Sequence, residues 1–255
     1  MQTKLSLVLR SAHVMRLFQT LETIEYRRIT SAEDLDAVAA VRRAAYGEAA
    51  IYADPDRPVC DASDLDPDTY VFGIHWQEML VATMRINILS NESRASNSLH
   101  FFPNVLNPLL DQGMKFMDPT RFAITPGMDR EIPGLAILVL RLGLAAVRHF
   151  KCDFGLAMIK EGHGGFYRKI FNYTQIAPFA QFSTFNPKYG LFSTPRSMTE
   201  TVCQNYPVLD GLPLEWRMLF DPVPPGEPKV LTVKPTARQA CGLDLASLDL
   251  LGKSA

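Results

Sequence analysis

The sequence of 255 residues predicts a mixed α/β fold, with a central sheet flanked by helices. Two apolar runs at residues 70–75 and 80–89 are separated by a short polar turn, which is typical of a β-hairpin. A long apolar segment at 134–150 indicates a buried helix, and a strand-like run at 154–159 follows it. Because a hairpin and a helical crossover both occur, we expect the sheet to hold antiparallel and parallel strand pairs.

We expect the chain to begin with a helix, because apolar side chains recur at helical spacing over the first two dozen residues. This helix packs either on the body of the protein or on a partner. A short strand at 26–29 follows, and Thr30 and Glu33 match a capping box that predicts a helix over 31–45. The apolar residues of the first helix are Leu5, Val8, Leu9, Val14, Leu17, Phe18 and Leu21.

Between the hairpin and the buried helix, the pattern is less regular. Residues 90–98 are polar and loop-like, and residues 101–118 are expected to be irregular because Pro103 and Pro108 interrupt them. A brief strand at 121–125 and a turn-rich connection at 126–133 come next. Beyond the strand at 154–159, the expected elements are a short helix at 164–171, a strand at 173–177, a helix at 198–205 and a strand at 214–220.

Four prolines in residues 221–228 place the end of the domain there. We therefore expect an N-terminal accessory helix at 1–25, one domain at 26–220 and a proline-rich tail at 221–255. The tail contains one apolar turn, at 243–251.

Composition excludes several classes of function. The chain has 26 Lys and Arg against 27 Asp and Glu, and this balance argues against binding nucleic acid or an anionic membrane surface as its main task. Its four cysteines form no CxxC pair, which is typical of reduced thiols in a cytoplasmic protein and predicts no metal site. Because no apolar run is long enough to cross a bilayer, we expect no integral membrane segment.

Charged and aromatic residues recur in a fixed order between residues 26 and 220. Arg42 stands four residues before Tyr46, Asp61 and Asp64 lead into the hairpin, and the hairpin carries Arg85. Two further motifs are Asp118-Pro119-Thr120-Arg121-Phe122 and His163-Gly164-Gly165-Phe166-Tyr167-Arg168. In this order the motifs resemble the long-chain N-acyl amino acid (N-acyltyrosine) synthases, which are relatives of the acyl-homoserine lactone synthases.

The resemblance implies a GNAT-like acyl-CoA N-acyltransferase fold and an enzyme that makes an amide from a thioester. The donor is an acyl-carrier protein or acyl-CoA bearing a medium or long fatty acyl chain, and the acceptor is the amine of an amino acid. No cofactor besides this donor is implied. Residues 127–134 lack the glycine spacing that cradles a pyrophosphate in acetyl-CoA-dependent relatives, and Glu131 and Pro133 disfavour phosphate there. This departure favours an acyl-carrier protein as partner.

Amide formation needs hydrogen-bond donors for the developing oxyanion and a group that stabilises the leaving thiolate. The resemblance places the donor's pantetheine arm between two splayed strands, one of them the strand at 121–125. It assigns the oxyanion donor to a backbone N–H near Ala123 or Ile124, next to Phe122. It assigns protonation of the thiolate to Tyr167.

Alternatives stay open at several of these positions. Tyr167 would otherwise pack against the neighbouring Phe166 and Phe171. His163 is a candidate for substrate contact because the two glycines after it let the backbone approach a ligand closely. The phenylalanines between residues 179 and 192 could line a slot for an acyl chain, although core packing explains them equally well.

The three arginines of the motifs come from separate elements that the family brings to one cleft. A guanidinium donates two parallel hydrogen bonds to a carboxylate, so Arg42, Arg85 and Arg121 are candidates for binding the carboxylate of the acceptor. The alternative is pairing with the acidic residues of the same motifs, Asp61, Asp64 and Asp118.

These acidic residues have candidate roles of their own. Asp64 and Asp118 are candidates for orienting or deprotonating the amine, directly or through a water, and Asp61 for contributing to substrate binding. No side chain stands in a nucleophile motif, so direct attack by the amine is expected.

Two other functions fit the same sequence. An acyl-homoserine lactone synthase would differ in its acceptor, S-adenosylmethionine, but the tryptophan that this family carries after its first helix is replaced by Tyr52. A non-catalytic protein that keeps the fold to sense an acyl or amino-acid ligand is the alternative from another class.

Overall fold

The computed structural model describes residues 12–222 and 231–242, and within them the strands form one sheet in the order β6-β7-β5-β4-β3-β2-β1-β8. β4 and β5 are parallel, whereas the other neighbours are antiparallel. The predicted mixed sheet is therefore confirmed. The strands are β1 (Ile24–Ile29), β2 (Thr69–Trp76), β3 (Met79–Leu89), β4 (Phe116–Ile124), β5 (Phe154–Lys160), β6 (Thr174–Ala180), β7 (Tyr189–Pro195) and β8 (Leu231–Val233).

Helices cover both faces of this sheet. They are α1 (Ala12–Thr23), α2 (Ala32–Glu48), α3 (Asn97–Phe101), α4 (Pro103–Asp111), α5 (Met128–Glu131), α6 (Leu135–His149), α7 (Gly164–Phe171), α8 (Thr199–Asn205), α9 (Pro213–Phe220) and α10 (Ala237–Ala240). None of these described helices is both long and apolar enough to cross a bilayer.

Alternation along the strands divides the core in two. Met117 of β4 and Ala157 of β5 belong to a large cluster with α1 and α6. Their neighbours Phe116 and Leu156 belong to a smaller cluster beneath α3 and α4. Successive side chains of a strand point to opposite faces, so each of the two strands contributes to both clusters.

The first part of the chain largely follows the prediction. Helix α1 buries four of its apolar residues, while Leu5, Val8 and Leu9 lie outside the described residues. The helix predicted at 31–45 is α2, but its N-cap is Ser31, whose hydroxyl accepts a hydrogen bond from the Asp34 N–H at 3.3 Å. The capping box predicted at Thr30 and Glu33 is therefore wrong by one residue, because Ser31 is the last residue with extended backbone angles.

Two predicted segments are wrong. Residues 101–118 are not irregular, because Ser96 caps α3 and Pro103 occupies the first turn of α4, where proline needs no N–H partner. The segment 214–220 is helix α9 rather than a strand. Its apolar residues alternate, but Pro213 starts a helix, and Glu215 and Leu219, four residues apart, are buried together.

The chain returns to the sheet after the proline-rich segment. β8 pairs with β1 in antiparallel register, and the N–H and hydroxyl of Thr236 both donate to the Glu215 carboxylate. Residues 231–242 are thus part of the packed body rather than a tail beyond residue 220. The turn predicted at 243–251 lies outside the described residues.

Candidate active site

β4 and β5 separate soon after they begin. Phe116 pairs with Phe154 and Met117 with Gly155, and the described residues beyond these two pairs form no further ladder, although β4 continues to Ile124 and β5 to Lys160. The two strands therefore splay apart, as the resemblance implied.

A bulge in β4 lies beside this opening. Thr83 of β3 is opposite Ala123, whereas Arg85 is opposite Thr120, so β4 holds one extra residue between these pairs. Arg121 takes up the extra length with a φ of 52°. A non-glycine residue rarely adopts such a backbone angle, and a bulge re-aims the side chains around it.

A cavity of about 360 Å³ occupies the wedge between the two strands. Residues 119–124 form its β4 wall and residues 157–160 its β5 wall, and Leu140 of α6 contributes to its lining. Further lining residues come from α2 and the segment after it, from the first residue of α3, from α7 and the residue before it, and from β7 and its approach. They are Ala45, Tyr46, Ala49, Ile51, Tyr52, Asn97, His163, Tyr167, Phe185 and Tyr189.

Tyr167 lies on the cavity wall. Its ring contacts Phe166 edge-on with a centroid distance of 5.2 Å, so it both packs and faces the cavity. Burial raises the pKa of Tyr167 to about 12. The phenol therefore keeps its proton at neutral pH and is available as a hydrogen-bond donor.

The three arginines of the motifs are joined by two aspartates. Arg42 Nη1 donates to both carboxylate oxygens of Asp64 at 3.0 Å. Arg85 Nη1 donates to Asp61 Oδ1 at 2.9 Å, and Arg121 Nη2 to Asp61 Oδ2 at 2.6 Å. Burial raises the pKa of Asp61, but the Arg85 and Arg121 guanidiniums outweigh this effect and hold the pKa below its usual value.

Only one of these arginines reaches the cavity. Arg121 lines it, donates through Nη1 to the Tyr52 hydroxyl, and has a buried Nε with no hydrogen-bond partner among the described residues. Arg42 and Arg85 are buried and do not line the cavity. The structure thus gives Arg42 and Arg85 the alternative role of internal ion pairing.

The two candidate catalytic carboxylates are also placed away from the cavity lining. Asp64 is buried between Arg42 and Arg85. Asp118 is fully buried and accepts hydrogen bonds from the hydroxyl of Ser98 at 2.7 Å and from its N–H at 3.2 Å, and burial raises the pKa of Asp118. Neither Asp64 nor Asp118 lines the cavity, and each accepts hydrogen bonds from partners within the protein.

Four of the other predicted contact residues line the cavity, whereas Asp61 does not. Phe122, Ala123 and Ile124 belong to the β4 wall, and His163 lies at the start of α7. Burial and the charge of Lys160 lower the pKa of His163, so the imidazole is neutral at neutral pH. The described residues hold no group of three or more His, Cys, Asp or Glu side chains that could bind a metal ion.

The comparison with known proteins agrees with this geometry. The family model described as N-acyl amino acid synthase FeeM matches residues 37–193, more than half of the chain. The chain belongs to this family. No curated protein matches it.

Two solved structures show the same fold as this N-acyl amino acid synthase family member. FeeM, an N-acyl amino acid synthase from uncultured soil microbes, is 18% identical with a TM-score of 0.59, covering 70% of this chain and 93% of that chain. The acyl-homoserine lactone synthase LasI is 13% identical with a TM-score of 0.50, covering 69% and 92% respectively. The predicted family and GNAT fold are confirmed, and the chain is an acyltransferase.

Several lining residues of this family member were missed in the sequence. Lys160 ends β5, and Tyr189 begins β7, a strand that the sequence analysis did not delimit. Phe185 stacks on Tyr52 with a centroid distance of 5.7 Å, so one of the phenylalanines between 179 and 192 does line the cavity. Phe192, by contrast, is fully buried in the core.

Proposed function

We propose that this acyltransferase moves a medium- or long-chain fatty acyl group from an acyl-carrier protein to the α-amine of an amino acid. The observation that carries the proposal is that Tyr167 and Arg121 line the same cavity between β4 and β5. A thioester needs a donor for its leaving sulfur, and an amino acid needs a cation for its carboxylate. One wedge offers both.

The reaction is direct attack of the neutral amine on the thioester carbonyl. The C–N bond forms as the C–S bond breaks, the amine loses a proton, and the thiolate gains one. A backbone N–H near Ala123 or Ile124 stabilises the oxyanion, and the Tyr167 hydroxyl donates to the departing sulfur. Because the pKa of Tyr167 is raised to about 12, above that of a thiol near 8.5, we assign Tyr167 to hydrogen bonding rather than to a resting tyrosinate.

Three features of the segment between β4 and α6 support a carrier protein over a nucleotide donor. The Leu135 N–H donates to Ile132 and the Ile137 N–H to Gly134, so these groups at the start of α6 are already used. The short helix α5 carries Asp129 and Glu131 against one cation, Arg130, so its net negative charge disfavours phosphate. A pyrophosphate needs free N–H groups and positive potential at a helix start, whereas a pantetheine arm needs neither there.

The third feature is that a side chain of α1 packs on the start of α6. Leu17 of α1 packs so closely on Gly134 that its Cδ2 lies 2.0 Å from the position of a Cβ there. Gly134 also has a φ of 79°, a backbone angle that favours glycine. Leu17 therefore covers the backbone at Gly134 on the side of α1.

The acceptor site is assigned to the end of the cavity at Arg121. The Arg121 side chain lines the cavity and supplies a positive charge there, and a carboxylate is the ligand that a guanidinium binds well. Tyr46, Tyr52 and Phe185 provide an aromatic wall for the acceptor side chain.

The test supplies purified protein with carrier-protein thioesters of several chain lengths, a mixture of amino acids, and mass spectrometry of the products. Parallel reactions replace the carrier thioester with acyl-CoA, or the amino acids with S-adenosylmethionine. We expect N-acyl amino acids from the carrier thioester. Lactone formed only with S-adenosylmethionine, or no product with any donor, would contradict the proposal.

Tyr167→Phe provides the matched test of mechanism, with Tyr189→Phe as control because Tyr189 lines the same cavity. Loss of the Tyr167 hydroxyl should lower kcat about 100-fold, within the range for a hydrogen-bond donor to a developing negative charge. The kcat of Tyr189→Phe should stay within about threefold of wild type, since the Tyr189 hydroxyl has no part in the proposed steps. Equal effects of the two variants would remove Tyr167 from the mechanism.

A further inference from the structure

A second, smaller cavity of about 30 Å³ lies beside the first, near the vertex where β4 and β5 meet. Four residues line both cavities and form the partition between them: Pro119, Leu140, Ala157 and Tyr167. Tyr167 thus has the large, polar-ended cavity on one side and this small space on the other.

The small cavity is suited to hydrocarbon. None of its described lining residues carries a charge. The hydroxyl of Tyr173 donates to the Leu156 carbonyl and that of Thr199 to the Arg196 carbonyl, whereas the Thr194 hydroxyl is buried without a partner among the described residues. The rest of its lining is aliphatic or aromatic, namely Met117, Gly143, Leu144, Val147, Phe171 and Pro195.

The tip of Met117 fills a notch between two glycines. Its Cε lies 3.1 Å from the position of a Cβ on Gly143 of α6 and 3.3 Å from that on Gly155 of β5. A larger residue at either glycine would meet the methionine tip. Met117 is also the last β4 residue paired with β5, so its side chain stands at the vertex of the wedge.

We propose that the small cavity is the terminal part of an acyl-chain subsite and that Met117 sets the depth of this subsite. The inference rests on the proposed function, because a fatty acyl donor in the main cavity is what brings a hydrocarbon chain to this point. With the thioester sulfur held at the Tyr167 hydroxyl, the chain runs past Leu140 and Ala157 toward the vertex. There the Met117 side chain ends the apolar path.

The size and flexibility of Met117 fit this role. A volume of about 30 Å³ admits a group of about the size of a water or a methyl, so the resting space takes little more than the end of a chain. An unbranched methionine side chain rotates at low cost and can yield to a chain of suitable length. A shorter side chain at 117 leaves a deeper pocket, whereas a methyl group on Gly143 presses the methionine tip into the space.

The test measures binding of saturated fatty acids of increasing length to the full-length protein by titration calorimetry, which needs no turnover. For Met117→Ala we expect the tightest-binding length to increase by about two carbons, because the pocket deepens by the lost side-chain arm. For Gly143→Ala the chain length that binds most tightly should decrease. Met117→Leu, of similar volume, is the matched control and should keep the wild-type preference.

Thermal unfolding of each variant identifies any loss of folding. Gly143→Ala keeps the test usable if Met117→Ala unfolds, because alanine is favoured over glycine within a helix. An unchanged length preference in both variants would overturn the inference.

Acyl-transfer assays with the same chain series separate the inference from the proposed function. Turnover with a wild-type length preference in Met117→Ala and Gly143→Ala contradicts the role of Met117 and leaves the synthase function intact. Absence of turnover together with shifted binding lengths contradicts the synthase function and supports the acyl subsite.

Discussion

The described residues form two clusters of buried arginine and carboxylate, and of these two clusters one opens onto the cavity between β4 and β5. In the first, Arg42, Arg85 and Arg121 pair with Asp61 and Asp64, and the Asp61 side chain remains 40% exposed. The second cluster pairs Arg141 of α6 with Glu215 of α9, both at most 1% exposed. Burial and pairing alone therefore do not identify a functional site. Access to a ligand distinguishes the two.

The second cluster joins separate segments of the chain. Arg141 donates to the carbonyls of Val208 and Asp210 as well as to Glu215, and Thr236 donates to Glu215 from the segment after β8. Neither Arg141 nor Glu215 lines the cavity between β4 and β5. We assign it to holding α9 and the returning C-terminal segment on α6.

The largest expected effect is on stability, at Arg141. Arg141→Met leaves Glu215 as a buried charge without its cation, so the free energy of unfolding should fall by about 3–5 kcal/mol. Urea denaturation followed by circular dichroism measures this, and kcat of the folded fraction should be unchanged. Adding Glu215→Gln to Arg141→Met should restore part of the loss because the unpaired charge is removed. A fall in kcat at unchanged stability would break the distinction between the clusters.

Substitution of Arg121 should have the opposite effect, a loss of activity at nearly unchanged stability. Arg121→Gln removes the guanidinium from the cavity wall, and we expect kcat/KM for the amino acid to fall about 10- to 100-fold, the value of a charge-assisted hydrogen bond. The KM for the acyl donor should be unaffected. Stability should change little because Asp61 can be solvated. Arg121→Lys, which keeps the charge but not the planar fork, should recover only part of the loss.

A smaller effect is expected at Asp118. Because burial raises its pKa, the folded state favours the protonated carboxyl, and this contribution to stability is lost as pH rises through the folded-state pKa. Asp118→Asn keeps an acceptor for Ser98 without the charge. Its stability relative to wild type should therefore increase from pH 4 upward in denaturant titrations, with kcat within about twofold. A large loss of kcat in a stable Asp118→Asn protein would indicate that Asp118 takes part in the reaction.

The smallest expected effect concerns the dependence of kcat on pH. With the pKa of Tyr167 at about 12, the phenol stays protonated across the assay range, so kcat should rise as the amine loses its proton and should not fall again by pH 10. Tyr167→Phe should lower the profile without changing its shape. A descending limb that disappears in Tyr167→Phe would show that Tyr167 ionises in the working range.

The sequence predicted the elements with strong periodicity. The hairpin of β2 and β3, the buried helix α6 and the short helix α7 were predicted from local patterns, namely apolar runs and the residues that bound them. Helix α9 was missed because its apolar residues alternate as in a strand, while the burial of Glu215 against Arg141 depends on contacts 74 residues apart. Local pattern cannot encode such a contact.

The site divides in the same way. The motifs identified the arginines and aspartates of the first cluster, but the bulge at Arg121 decides which of them faces the cavity, and a bulge follows from strand pairing rather than from composition. The second cluster left one usable signal. Arg141 is the one charged residue among residues 135–147 of α6, and a buried guanidinium requires a partner.

The most direct test of the account is a crystal structure with a non-reactive thioether analogue of acyl-phosphopantetheine. We expect the arm to lie between β4 and β5, with its sulfur within hydrogen-bond distance of the Tyr167 hydroxyl and its chain directed toward Met117. An arm bound outside this wedge, with the Tyr167 hydroxyl remote from the sulfur, would contradict the assignment of acyl transfer to this site.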